Sequence, residues 1–179
     1  TSSLTAAVTD PSATDKPVLT SFTEVKDSGC ANCSAVFDPS NNTLTATIGG
    51  GADSYDTAYG LADFGGPSGW SARTYSRIDF SLPAGTVING NIAVLQELDL
   101  NSSLIYELCL KGATRELCLY SPATWVACSG IIIPNDGTPT HLEVSAKAND
   151  SIIVRVNGVD KITRTGLTGT TGAPRYLRV

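Results

Sequence analysis

The chain has no methionine, one histidine, and only 7% aromatic and 16% charged residues. Each shortage narrows what the protein can be. The lone His141 cannot build a His-based metal centre. It has no G-x-S-x-G elbow to serve as the base of a hydrolase triad, so its expected role is structural, at a strand start. Basic residues never run together, which removes the electrostatic footprint of a nucleic-acid binder. No apolar run approaches the ~20 residues of a membrane span, so no membrane insertion is expected. No apolar period of 3.6 residues persists for three turns, which excludes a helical bundle. Repeats of solenoid length are absent as well. No signal peptide is expected within these 179 residues. The chain starts at Thr1, and a leader or upstream module is expected to have been removed.

What is present describes a β protein. Hydrophobic residues make up 41% of the 179 positions, enough for a core that hides roughly 70% of the unfolded surface. The net charge of −5 reads as solubility. Residues 1–17, TSSLTAAVTDPSATDKP, form an aperiodic Thr/Ser/Ala/Pro mixture, expected as a linker. Residues 18–179 are expected as a single domain.

Within that domain, strand signals alternate with turn signals. Leu44–Ile48 alternates between Pro39–Asn42 and Gly49–Gly51. Tyr75–Leu82 alternates up to Pro83, and Asn91–Leu100 is a longer run. Leu104–Leu110 and Glu116–Tyr120 make a hairpin around Lys111–Thr114. His141–Lys147, Ser151–Val156 and Tyr176–Val179 follow. A short helical turn fits only near Ser121–Thr124. β-branched residues and turns every 8–12 positions predict an all-β fold, a two-sheet antiparallel β-sandwich of about 12 strands.

Five cysteines leave one unpaired. The C-x-x-C at Cys30 and Cys33 lacks the βαβ setting of a redox site. Structural disulfides of an oxidising compartment are expected instead, which makes the protein extracellular or cell-surface. The hairpin brings Cys109 and Cys118 together, with Cys128 an alternative partner for either. Cys30–Cys33 and Cys109–Cys118 are the expected bonds, with Cys128 a buried, inert thiol.

The C-terminal third carries a more specific pattern. Thr140-His141-Leu142-Glu143-Val144 is followed by Val154-Arg155-Val156-Asn157-Gly158 and by Tyr176-Leu177-Arg178-Val179. This resembles the laminin-G-like and concanavalin A-like lectin-glucanase jelly rolls. There a strand opening with Trp-His leads to one ending V-x-V-N-G, and L-R-V/I-G closes the sheet. The resemblance covers about residues 75–179 and departs at Thr140, where the family has Trp, and at the closing Gly. Asn157-Gly158 has its own reason, since both residues tolerate the positive φ of a tight hairpin turn.

The resemblance implies sites to look for. Glu97-Leu98-Asp99-Leu100-Asn101 is similar to the E-x-D-x-E of glucanases on this fold, where two carboxylates share the chemistry. Asn101 stands where the second Glu would be and cannot protonate a leaving group. Glu97 and Asp99 are therefore weak catalytic candidates, and an enzyme is not the expectation. Asp53 and Asp56 in a glycine-rich loop are candidate Ca²⁺ ligands, with Asp27, Asp38 or Asp63 to add oxygens. No other cofactor is implied. Trp70 on Phe64–Trp70, with Tyr55, Tyr59, Arg73 and Arg77, forms a candidate ligand-binding set, because aromatic faces stack on sugar rings and arginines hold hydroxyls or carboxylates. Four N-x-S/T sequons, at Asn32, Asn41, Asn101 and Asn149, are acceptors if a eukaryotic host secretes the chain. The expectation is a secreted, non-catalytic module of a larger protein, monomeric, binding a polysaccharide, a glycan or another surface protein. The rival expectations are a glucanase-like hydrolase or lyase, and a structural or adhesion spacer.

Overall fold

A computed structural model describes residues 2–7, 22–26, 28–41, 43–48, 58–63, 74–121, 124–147, 150–166 and 174–179, with backbone only at 2–7, 124–126 and 174. The described residues form fourteen strands in two seven-stranded sheets. The first sheet runs, in spatial order, β13 (Val159–Thr165), β12 (Ser151–Val156), β11 (Thr140–Lys147), β6 (Thr74–Ser81), β1 (Ser2–Ala7), β4 (Thr43–Ile48) and β3 (Ser34–Asp38). The second runs β10 (Thr124–Ile132), β9 (Glu116–Ser121), β8 (Leu104–Lys111), β7 (Ile92–Asp99), β14 (Pro174–Arg178), β5 (Ala58–Asp63) and β2 (Thr23–Lys26). Every strand pair is antiparallel. No described helix is long and apolar enough to cross a membrane.

The faces follow from period-two alternation. On β11, Thr140, Leu142, Val144 and Ala146 are buried, while His141, Glu143, Ser145 and Lys147 turn outward. On β6, Ile78 and Phe80 point in, and Tyr75 points out with 64% of its surface exposed. The second sheet contributes Leu95, Leu108, Leu117 and Leu119 to the same core as Ile78, Phe80, Leu142 and Val154. Two inner faces therefore share one apolar interior, the arrangement of a sandwich.

The expected antiparallel sandwich is present. The β8–β9 hairpin closes through a 3₁₀ turn at Gly112–Thr114, so the helical turn lies there; Ser121 and Thr124 are in strands, and 122–123 are outside the described residues. Asn157 and Gly158 have φ of 49° and 79°, the conformation a two-residue hairpin turn requires. One difference concerns the N-terminal stretch. Ser2–Ala7, expected as linker, forms β1, paired with β4 along its whole length and with β6 at one end. A strand filling a gap inside a sheet gains backbone hydrogen bonds from both sides, so it needs little apolar patterning of its own. Residues 8–17 lie outside the described residues.

Candidate functional site

The outward face of the second sheet carries a continuous row of polar and aromatic side chains. In an antiparallel ladder, residues directly opposite share a face. Arg178 of β14 lies opposite Leu61 of β5 and Gln96 of β7. Gln96 lies opposite Glu107 of β8, and Glu107 opposite Tyr120 of β9. The row is linked by side chains from Tyr59 as far as Glu107. Arg178 Nη1 donates to Gln96 Oε1 at 3.4 Å, and Gln96 Nε2 donates to Glu107 Oε2 at 2.6 Å. At the β5 end the Arg178 guanidinium stacks over the Tyr59 ring, 4.8 Å from its centroid. Tyr59, Arg178, Gln96, Glu107 and Tyr120 are all half-buried, so the side chains lie along the sheet rather than out into water. Chemically, this is a flat strip with aromatic rings towards each end and fixed donors and acceptors between them.

Of the ligand-binding residues singled out from sequence, the two that are described, Tyr59 and Arg77, lie on different sheets. Trp70, Tyr55, Arg73, Asp53, Asp56 and Asp27 lie outside the described residues. Tyr59 is in the row just described. Arg77 is on β6, opposite Glu143, on the outward face of the other sheet. Asp38 accepts from Ser40 N and Asn41 Nδ2, and Asp63 is held by both Arg175 Nε and Nη2. Those two carboxylates are already occupied.

Glu97 and Asp99 are separated in environment. Glu97 faces the interior between the sheets and is 1% exposed. Its Oε2 accepts from Thr74 Oγ1 at 3.0 Å, across from the other sheet, and its Oε1 has no hydrogen-bond partner among the described residues. Burial pushes its carboxyl up to about 7, against the pull of the Thr74 hydroxyl. Tyr106, opposite it on β8, is pushed up by burial and then by the Glu97 charge. A register shift after Glu97 interrupts the alternation. Asp99 then caps the β7–β8 turn, accepting from Asn101 N and Ser103 N at 2.8 Å, and Asn101 is exposed. The carboxylate row of a glucanase is not assembled.

His141 bonds Asp79 through Nδ1 and approaches Glu143 through Nε2 at 3.4 Å. Glu143 also holds Arg155, which holds Asp160. His141 is tied at its backbone too: its N–H donates to Asn157 Oδ1, and its C=O accepts from Asn157 N. On this outward face of the first sheet, Asp79, His141, Glu143, Arg155 and Asp160 are linked in one chain of polar contacts.

The cysteines form two disulfides and a buried thiol, in a different pairing from the one expected. Cys30 bonds Cys33, and Cys118 bonds Cys128. Cys109 is the free thiol. The expected Cys109–Cys118 register is present, but β10 places Cys128 opposite Cys118 on the other side, with Cα atoms 4.0 Å apart. A sulfur takes one partner, so Cys109 Sγ instead contacts the Cys118 carbonyl at 3.5 Å. Burial, and next the Glu107 charge, push the Cys109 thiol up to about 12. Glu116 lies near the bonded pair, but its carboxylate accepts from Gly130 N.

No protein-family model matches the chain, and no curated protein matches it significantly. A solved structure described as a sialidase is similar in part. The similarity covers 82% of this chain, with 14% identity and a TM-score of 0.42, and this chain spans 17% of that protein's length.

Arg178, Gln96, Glu107 and Tyr120 were not singled out from the sequence. Alternation places each on the polar side of its strand. That β14 inserts between β5 and β7, which brings them into line, is not written in any local pattern.

Proposed function

We propose that this domain is a non-catalytic carbohydrate-binding module of a secreted or cell-surface protein, with the concanavalin-like jelly roll as its scaffold. The observation that carries the reading is the row on one sheet face in which Tyr59, Arg178, Gln96 and Glu107 are stacked or hydrogen-bonded in turn and Tyr120 lies opposite Glu107. Sugar rings present apolar C–H faces that stack on aromatic rings, and hydroxyls that need donors and acceptors at fixed spacing. The row offers both. From Tyr59 to Glu107 the side chains are held by one another, so little of their rotamer entropy is lost on binding. Two disulfides support the extracellular setting. Ca²⁺ at Asp53 and Asp56 remains part of the proposal as a structural ion. The catalytic reading has less support, because Glu97 is enclosed between the sheets.

The test is a glycan array with and without Ca²⁺, followed by titration calorimetry of each hit. Tyr120→Ala and Gln96→Ala should weaken binding about tenfold or more, since each removes a stacking or bonding partner. Tyr75→Ala, on the opposite face, should bind as wild type. Silence across the array would favour a spacer. Release of reducing sugar or unsaturated product that disappears in Glu97→Gln would establish an enzyme instead.

A further inference from the structure

We propose that the row takes a carboxylated sugar, with the carboxylate received by Arg178; this rests on the carbohydrate reading above. The argument is one of charge. Arg155 holds Glu143 and Asp160, and Arg175 holds Asp63 through two nitrogens. Arg178 holds no carboxylate among the described residues. Its Nη1 donates to a neutral amide oxygen, its Nε has no acceptor among the described residues, and the half-buried side chain stacks over Tyr59.

A guanidinium drawn partly out of water without a counter-charge is under-compensated. A carboxylate stands two strands away, on Glu107, but it accepts from Gln96 and is not paired with Arg178. Gln96 stands between the two, accepting from Arg178 and donating to Glu107. The amide holds the negative group at a distance and leaves the positive one open. A planar carboxylate fits the fork of an arginine, and stacking on the ring fixes the plane of that fork. The arrangement also gives the ligand a direction. Its carboxylate belongs at the Tyr59 end, and its hydroxyls towards Glu107 and Tyr120. Reversed, the ligand would set like charges together at Glu107, which is disfavoured.

The test pairs each acidic glycan with its uncharged form. Oligogalacturonate and hyaluronan fragments are titrated against their carboxyl-reduced counterparts at low and high salt. At least one acidic glycan should bind about tenfold or more tightly than its reduced form, with an advantage that shrinks as salt rises. Arg178→Gln should remove that advantage, so that the acidic and reduced forms bind alike. Because the wild-type comparison stands alone, a poorly folded variant does not blunt the test. If neutral glycans bind and the acidic forms bind no tighter, the carboxylate assignment falls and the binding-module reading stands. If no glycan of any kind binds, both fall.

Discussion

Glu97 is a carboxyl group in an apolar interior, with one oxygen bonded to Thr74 and the other to no described residue. The titratable group facing it is Tyr106, and no basic side chain is among the influences on its carboxyl. Its folded-state value of about 7 lies above the ordinary 4.5. The folded protein therefore holds the proton more tightly than the unfolded chain. The resulting stability is full below pH 4.5, falls between 4.5 and 7, and is lost above 7. The difference is on the order of 3 kcal/mol. Glu97→Gln should flatten this dependence, raising the melting temperature at pH 8 and changing it little at pH 4. Thermal unfolding followed by circular dichroism from pH 4 to 8 checks it; equal slopes for both proteins would contradict the assignment. Cys109 supports a second expectation at this scale. The unreduced native protein should resist alkylation, and the unfolded, unreduced protein should take one label, on Cys109, by peptide mass spectrometry. Cys128→Ser should destabilise by roughly 2–3 kcal/mol through loss of a short closed loop.

Single elements differ in how plainly the sequence announces them. β11 alternates without interruption, and β6 and β12 alternate over most of their length, because each has one face in the core and one outside. β7 does not, since register shifts near Ala93 and Glu97 move neighbouring residues onto altered faces. That irregularity is why Glu97, Asp99 and Asn101 do not line up as simple i, i+2 spacing implies. The β12–β13 turn is the opposite case, where two residues determine local structure. Gly158 has a φ of 79° with open space around its missing Cβ, so Gly158→Ala costs strain alone, about 1 kcal/mol. Asn157→Ala should cost more, because it also removes the acceptor for His141 N. Urea unfolding of the two variants checks the order.

At the scale of the whole molecule, the chain crosses repeatedly between the sheets, and its first and last strands both lie inside them. β1 sits between β6 and β4, and β14 between β7 and β5. Removing residues 1–7 should open the edges of β4 and β6, lower the melting temperature and promote aggregation. Scanning calorimetry and light scattering on that truncation check it, and an unchanged melting point would show β1 to be dispensable.

By itself the sequence determined the all-β class, the β8–β9 hairpin with its Cys109–Cys118 register, the Asn157–Gly158 turn, and the count of two bonds and one thiol. These depend on alternation, turn chemistry and parity, which are local or arithmetic properties. Only the tertiary structure decided that Cys128 takes Cys118, that Glu97 is enclosed, that Tyr59 and Arg77 face away from each other on different sheets, and that Arg178 joins Gln96 and Glu107. Those outcomes depend on which strands become neighbours. That choice is made by burying two whole sheet faces against each other, a property that no stretch of the chain possesses alone.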